Sequence, residues 1–195
     1  MTGATIRRAE ESDAEAIRGI YAPYVTETTI TFETEVPSVK KMRDRLSSIS
    51  VRYPYLVLQA HDGRIAGYAY AHEYQSRAAY QWNAELSIYL DSQYRGQGEG
   101  RRLYETLMAI LTRQNIHNVY AVITSPNPQS QNFHERLGFF QAGILRRTGF
   151  KFGQWLDVQL YEKRLIDRDG QPAAVKPVHE LDPLELKMML EKFSR

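Results

Sequence analysis

Hydrophobic positions along the chain change period several times, and each change marks an element. Thr5–Arg8 is a short extended start. Ser12 and Glu15 have the spacing of a capping box. Ile17, Ile20, Tyr21 and Tyr24 then share one helical face, with Pro23 predicted to break the last turn. Thr26–Thr34 is polar and β-branched and reads as a loop over a site. Pro37-Ser38 opens a second helix, Val39–Ser48, with Met42, Leu46 and Ile49 turned inward. The apolar runs Tyr55–Ala60 and Ile65–Ala71 flank Asp62-Gly63, a strong hairpin signal. Tyr80–Leu90 is the next strand. Leu103, Leu107, Ile110 and Leu111 repeat at i, i+4, i+7 and i+8 and predict a helix to about Gln114. Asn118–Thr124 reads as a buried strand. Gln129–Leu137 is a short helix ended by Gly138. Phe139–Arg147 and Trp155–Lys163 close the pattern around a turn at Phe152-Gly153.

This order predicts an α+β fold: a mixed, mostly antiparallel sheet flanked by helices, with one parallel crossover around the central helix. Residues 1–165 form one domain on this reading. Residues 166–195 are a linker followed by a helical tail. In the tail, Asp182-Pro183 supplies an N-cap and a proline at N1. Leu186, Met189, Leu190 and Phe193 make an apolar stripe that needs a covering surface.

Composition closes several functional classes. Lys plus Arg is 25 and Asp plus Glu is 23, and the small net charge argues against a dedicated nucleic-acid binder. Cysteine is absent, which excludes disulfides, cysteine-ligated metal and a cysteine nucleophile and fits a reducing cytoplasm. The first residues lack the apolar run of a signal peptide, and no apolar stretch is long enough to span a bilayer. The expectation is a cytoplasmic protein with neither nucleic acid nor membrane as partner.

The candidate chemistry lies between Glu85 and Arg113. The strand ending at Leu90 leads to Arg95-Gly96-Gln97-Gly98-Glu99-Gly100, which places three glycines on alternate positions just ahead of a helix. Glycine lets backbone approach a ligand closely. The unpaired N–H groups and positive dipole of a helix start suit a pyrophosphate. The spacing is neither the dinucleotide G-x-G-x-x-G nor a P-loop. Taken alone, the loop also reads as a flexible turn.

Arg95, Gly98 and Gly100 resemble the Arg/Gln-x-x-Gly-x-Gly/Ala loop of the GNAT superfamily of N-acetyltransferases, which grips the pyrophosphate of acetyl-CoA. Asn127, Ser130, His134, Leu137, Gly138 and Phe139 resemble the same superfamily's Asn-x-x-Ala/Ser-x-x-x-Tyr-x-x-x-Gly-Phe stretch, with His134 in place of the usual tyrosine. Thr31-Phe32-Glu33, Gly67–Ala71, Arg77, Tyr80 and Gly149–Val158 resemble its phosphinothricin acetyltransferase branch. The similarity spans residues 5 to 164.

The resemblance implies a GNAT-like acetyltransferase fold, acetyl-CoA as co-substrate, no metal, and a homodimer. The implied reaction moves an acetyl group to the α-amine of a small amino-acid-like compound of the phosphinothricin, methionine sulfone or methionine sulfoximine type. Roles follow from the same source. Glu85 is the base, and His134 protonates the leaving sulfur. Ile88, Tyr89 and Leu90 offer backbone to the pantetheine arm, with Asn127 and Ser130 beside it. Arg95, Gly96, Gln97, Gly98, Glu99, Gly100 and Arg101 form the phosphate loop. Phe32, Glu33, Tyr74, Gln75, Arg77 and Tyr80 line the acceptor pocket, with Trp155 a further aromatic there. On residue chemistry alone other settings stay open: a solvated sheet-edge Glu85, a helix-surface His134, Asn127 as a turn former, Arg77 as an exposed loop arginine. The chain departs from the branch at Gln75, where a second arginine is frequent, and at Phe152 and Leu156, where histidines are usual. Acetylation of a polyamine or a peptide N-terminus, or a non-catalytic acyl-CoA sensor, are the alternatives.

Overall fold

The computed structural model describes residues 4–167 and 170–193. The elements are β1 (Thr5–Arg8), α1 (Ala14–Glu27), α2 (Val39–Ser50), β2 (Tyr55–Gln59), β3 (Ile65–Glu73), β4 (Asn83–Leu90), α3 (Glu99–Arg113), β5 (Asn118–Ser125), α4 (Pro128–Arg136), β6 (Phe140–Lys151), β7 (Gln154–Arg164) and α5 (Pro183–Lys192). One seven-stranded sheet runs in the order β1-β2-β3-β4-β5-β7-β6. Its pairs are antiparallel except for β4 with β5, the crossover that α3 makes. This is the α+β arrangement the element order predicts.

The feature that positions the site is a gap in the sheet. β4 and β5 pair only from Asn83–Glu85 against Asn118–Tyr120. β3 follows β4 as far as Leu90, and β7 follows β5 as far as Ser125. Beyond Glu85 and Tyr120 the two halves of the sheet therefore part into a wedge. The β5-facing backbone edge of β4 is left without a strand partner there.

Alternation along the strands sends side chains into two cores. On one face Leu56, Leu58, Ala69 and Leu86 pack with Leu103, Tyr104, Leu107, Ile110 and Leu111 of α3. On the other, Tyr55, Val57 and Tyr68 meet Ile17, Tyr21, Tyr24 and Val25 of α1 and Met42 and Leu46 of α2. Ser38 caps α2 by accepting from the Lys41 N–H at 3.2 Å.

Several local expectations are corrected. Ser12 does not cap α1. Residues 11–13 form a 3-10 turn, and Asp13 accepts from the Glu10 N–H while holding Arg7 through two 2.8 Å bonds. A buried charge-assisted fork outcompetes an exposed hydroxyl. Pro23 stays inside α1, which runs on to Glu27, because Tyr24 and Val25 beyond it are buried and their packing outweighs one lost hydrogen bond. Tyr80 lies in a 3-10 turn ahead of β4, not in the strand. β5 is fully buried on the face of Val119, Ala121 and Ile123, whereas Val122 on the other face is 43% exposed.

The tail folds onto its own chain. Asp182 caps α5 by accepting from the Leu184 N–H at 2.8 Å. Leu186 is buried, and Met189, Leu190 and Phe193 pack against the α3-side core. The stripe is thus covered without a second subunit. Arg168 and Asp169 of the linker and Ser194 and Arg195 of the tail lie outside the described residues. No helix among the described residues is long and apolar enough to cross a membrane.

Candidate active site

A cavity of about 600 Å³ lies between the wedge edge of β4, the 95–98 loop, the first turn of α3 and α4. Two glycines make its floor possible. Gly98 caps α3 at φ +87°, in the left-handed region that L side chains resist. At Gly100 an added Cβ would come within 3.1 Å of Leu90 Cδ1 and 3.6 Å of Ile88 and Phe133, so α3 lies hard against β4 there. The Arg102 N–H makes the first intrahelical bond, to Gly98 O at 3.1 Å. The N–H groups ahead of it are the unpaired donors of a helix start. Arg95, Arg101 and Arg136 also line the cavity, and the Arg95 guanidinium sits 4.9 Å above the Tyr24 ring. Donors, dipole and arginines together can hold a diphosphate.

Of the residues expected at a coenzyme, Ile88, Leu90, Arg95, Gly96, Gly98, Gly100, Arg101, Asn127 and Ser130 line this cavity. Three expected neighbours do not. Tyr89 is turned to the opposite face, edge-on to Tyr21 and Tyr24. Gln97 donates back to Gln93 O at 2.5 Å. Glu99 is 1% exposed and pairs with Arg102 at 2.7 Å. The Tyr24 hydroxyl donates to Leu90 O at 2.7 Å and accepts from the Leu90 N–H at 3.1 Å. Ile88, two residues earlier, presents its backbone along the same edge.

Glu85 stands where the wedge closes, in register with Tyr120 of β5 and His72 of β3. His72 Nε2 is 3.6 Å from Glu85 Oε1. Burial works against an imidazolium at His72, but the nearby carboxylate of Glu85 outweighs it and raises the pKa above the ordinary histidine value. Glu85 is off the cavity wall, one strand face away from Ile88 and Leu90.

His134 is 4% exposed and packs edge-on against Tyr104, Phe133 and Phe139. Nδ1 bonds the Ser130 carbonyl at 2.8 Å and Nε2 bonds the Tyr104 hydroxyl at 3.2 Å. As a neutral ring it therefore donates from Nδ1 and accepts at Nε2. Burial lowers its pKa to about 4. This setting does not favour a proton donor: both ring nitrogens are bonded within the protein, and the ring is not on the cavity wall. Asn127 caps α4, its Oδ1 accepting from the Ser130 N–H at 3.2 Å, while still lining the cavity.

The neutral His134 makes a stability prediction. The unfolded chain binds a proton near pH 6.5 that the folded chain refuses until about 4. The unfolding free energy should therefore fall as pH drops through that window, by on the order of 3 kcal/mol. Urea unfolding at pH 7 and pH 4.5 measures it; no difference would mean that the ring is solvated.

The residues expected around an acceptor fall into two groups. Tyr74 stacks on Tyr120 at 4.1 Å and meets Tyr80 edge-on at 6.4 Å, which places both beside the register row of Glu85. Gln75 and Arg77 are exposed on the same β3–β4 connection. Phe32 and Glu33 sit in the loop after α1. The Phe32 ring covers the backbone of Gly149, where an added Cβ would come within 2.2 Å of it. Glu33 is taken up by Arg45 at 2.6 Å. The loop is pinned by Thr31, whose hydroxyl bonds Tyr21 at 2.6 Å and whose carbonyl accepts from Lys151 at 2.8 Å. Trp155 is 54% exposed beside Phe150. No group of three or more metal-ligating side chains occurs among the described residues.

Sequence reasoning missed Tyr24, Ile30, Gln129, Asn132, Phe133 and Arg136, all on the cavity wall. The last four had a signal: positions 129, 132, 133 and 136 share one face of α4. Tyr24 and Ile30 had none, since an aromatic on an amphipathic helix and an isoleucine in a loop look like packing.

The fold and this cavity together define an acyltransferase of the acetyl-CoA type. The model of the acetyltransferase (GNAT) domain family matches residues 6–160, and the chain belongs to that family as an acetyl-CoA-dependent N-acetyltransferase. Among its relatives, the phosphinothricin N-acetyltransferase of Alcaligenes faecalis is 40% identical over 83% of this chain and 82% of its own. That of Streptomyces viridochromogenes is 35% identical over 90% and 95%. The L-methionine sulfoximine/L-methionine sulfone acetyltransferase of Pseudomonas aeruginosa is 32% identical over 87% and 99%. Among solved structures, a phosphinothricin acetyltransferase from Sinorhizobium meliloti in complex with acetyl-CoA superposes with a TM-score of 0.81 at 37% identity, over 94% of this chain and 97% of that one.

Proposed function

We propose that the chain acetylates the α-amine of a small amino-acid-like compound of the phosphinothricin, methionine sulfone or methionine sulfoximine type. The observation that carries this reading is an anion cradle at one end of a strand wedge with a carboxylate at the other. The names of the relatives above supply the substrate class. Acetyl-CoA supplies an activated acetyl thioester. The N–H groups that open α3, with Arg95 and Arg101, hold its pyrophosphate, and Asn127 holds its pantetheine arm. Glu85 takes the amine proton, directly or through one water. Tyr24 occupies the N–H of Leu90, which leaves the Ile88 N–H as the strand donor for the developing oxyanion. His134 orders α4. The coenzyme thiol, acidic by the standards of an alcohol, leaves as thiolate. The test is thiol release with acetyl-CoA and a panel of amines; turnover confined to polyamines or peptide N-termini would overturn the substrate class.

Arg77, exposed beside the Tyr74–Tyr80 cluster, is the candidate reader of the acceptor carboxylate. Arg77→Ala should raise KM for amino acids by roughly ten- to hundredfold, the loss of one charge-assisted pair. Amines without a carboxylate should be spared. Equal effects on both would remove Arg77 from that role.

We further propose a cytoplasmic homodimer. The C-terminal stripe does not support it, since α3 and β1 of the same chain cover that stripe. Support comes instead from Phe140, Leu145, Phe150, Phe152 and Trp155, which the β6–β7 hairpin leaves between 46% and 58% exposed. An apolar surface of that kind marks an interface. Sedimentation should find a dimer at micromolar concentration and Leu145→Asp should shift it to monomer; a wild-type monomer would refute it.

A further inference from the structure

Glu99 is an anomaly in the cradle. A carboxylate at a helix start favours the helix, yet this one opens the helix whose first turn receives a diphosphate, and its charge would repel that ligand. It is 1% exposed and held by Arg102 Nη1 at 2.7 Å. Arg102 is itself fixed at each end of its fork. Nε donates to Phe193 O at 2.8 Å, and Nη2 donates to Ala4 O at 2.9 Å. The carbonyls of Ala4 and Phe193 thus converge on the cation that pairs with the acid under the cradle.

The C-terminal segment is built to reach this point. Asn115 Nδ2 donates to Ala174 O at 2.8 Å, and the Lys176 N–H donates to Gln114 O at 3.0 Å, at the far end of α3. Glu185 pairs with Arg113 at 2.5 Å. Leu186, Met189 and Leu190 pack toward the core beneath. Phe193 then arrives at the first turn. The tail follows α3 from its end back to its beginning.

We propose that Arg102 is a positioning residue for acetyl-CoA. Clamped by the tail and by Ala4, it keeps the Glu99 charge from opposing the coenzyme pyrophosphate, and the C-terminal helix is thereby part of the cofactor site. The inference rests on the acetyl-CoA reading of the cradle given above.

The test separates charge from folding. Arg102→Met should raise KM for acetyl-CoA on the order of tenfold, the effect of one uncompensated charge close to the ligand in a partly desolvated site. With S-acetylpantetheine, which lacks the pyrophosphate, kcat/KM should stay within about twofold of wild type. E99Q/R102M removes both charges and leaves the site balanced, so the double variant should bind acetyl-CoA as wild type does. An unchanged KM in R102M, an equal loss with both donors, or an E99Q/R102M variant as impaired as R102M would overturn the proposal. If R102M does not fold, the comparison of E99Q/R102M with wild type decides alone, because the double variant leaves no buried charge unpaired. Failure of the cradle reading has a separate signature: acetyl-CoA affinity untouched by Gly98→Asp.

Discussion

Glu85→Gln is expected to lower kcat by about 10²–10⁴, the usual worth of a general base, while leaving the affinity for acetyl-CoA nearly unchanged. The amine arrives protonated at neutral pH and cannot attack a carbonyl until that proton is removed. Glu85 stands where β4 and β5 separate, in register with His72 and Tyr120, and its side chain is 25% exposed. It is therefore open enough to meet an incoming amine and still framed by protein. Glutamine keeps the volume but accepts no proton. The affinity is spared because Glu85 does not line the coenzyme cavity. The variant should regain activity at high pH, where more free amine is present, and the rising limb of the wild-type profile should move or vanish. Steady-state kinetics across pH measures both. Near wild-type kcat with an unaltered profile would make Glu85 a structural partner of His72, and His72 would be the next candidate base.

The parts of this molecule that were legible in the sequence are those specified by near neighbours. The face Leu103, Leu107, Ile110 and Leu111 is a local repeat, and all four residues are fully buried. The hairpin at Asp62-Gly63 is a local turn. The glycines of the 95–100 loop mark a backbone turn into α3, and at Gly100 a close approach to β4. What the sequence hid depends on partners far along the chain. The wedge exists because β4 and β5 stop pairing after Glu85, and no residue pattern within either strand records that. Pro23 was read by its local penalty, whereas burial of Tyr24 and Val25 decided the helix. His134 sits in a helix whose exposed side is polar, so its burial against Tyr104 and Phe139 was invisible. The tail stripe announced that it needed a surface, and only the fold shows that α3 and β1 provide it.

Gly98→Asp is expected to reduce acetyl-CoA binding by more than a hundredfold while the protein stays folded. Gly98 caps α3 at φ +87°, and an added Cβ there meets no atom within 4 Å. Aspartate is among the few residues that tolerate that conformation. Its carboxylate would stand at the helix start and accept from the N–H groups of the first turn, as N-cap aspartates do. Those are the donors the pyrophosphate needs. The variant would thus replace the ligand with a cap of its own and add a negative charge beside the remaining site. At about 5 Å and an effective dielectric near 20, each unit of ligand charge is opposed by roughly 3 kcal/mol. Gly98→Ala carries the backbone cost without the charge, so it should lose far less affinity. Titration calorimetry on both variants, with thermal unfolding as a check on the fold, separates the two contributions. Equal affinities in wild type and Gly98→Asp would mean that the phosphate groups lie elsewhere. A loss equal to that of Gly98→Ala would assign the glycine to backbone shape alone. A deep loss confined to the aspartate would tie the α3 helix start to the anion it is built to receive.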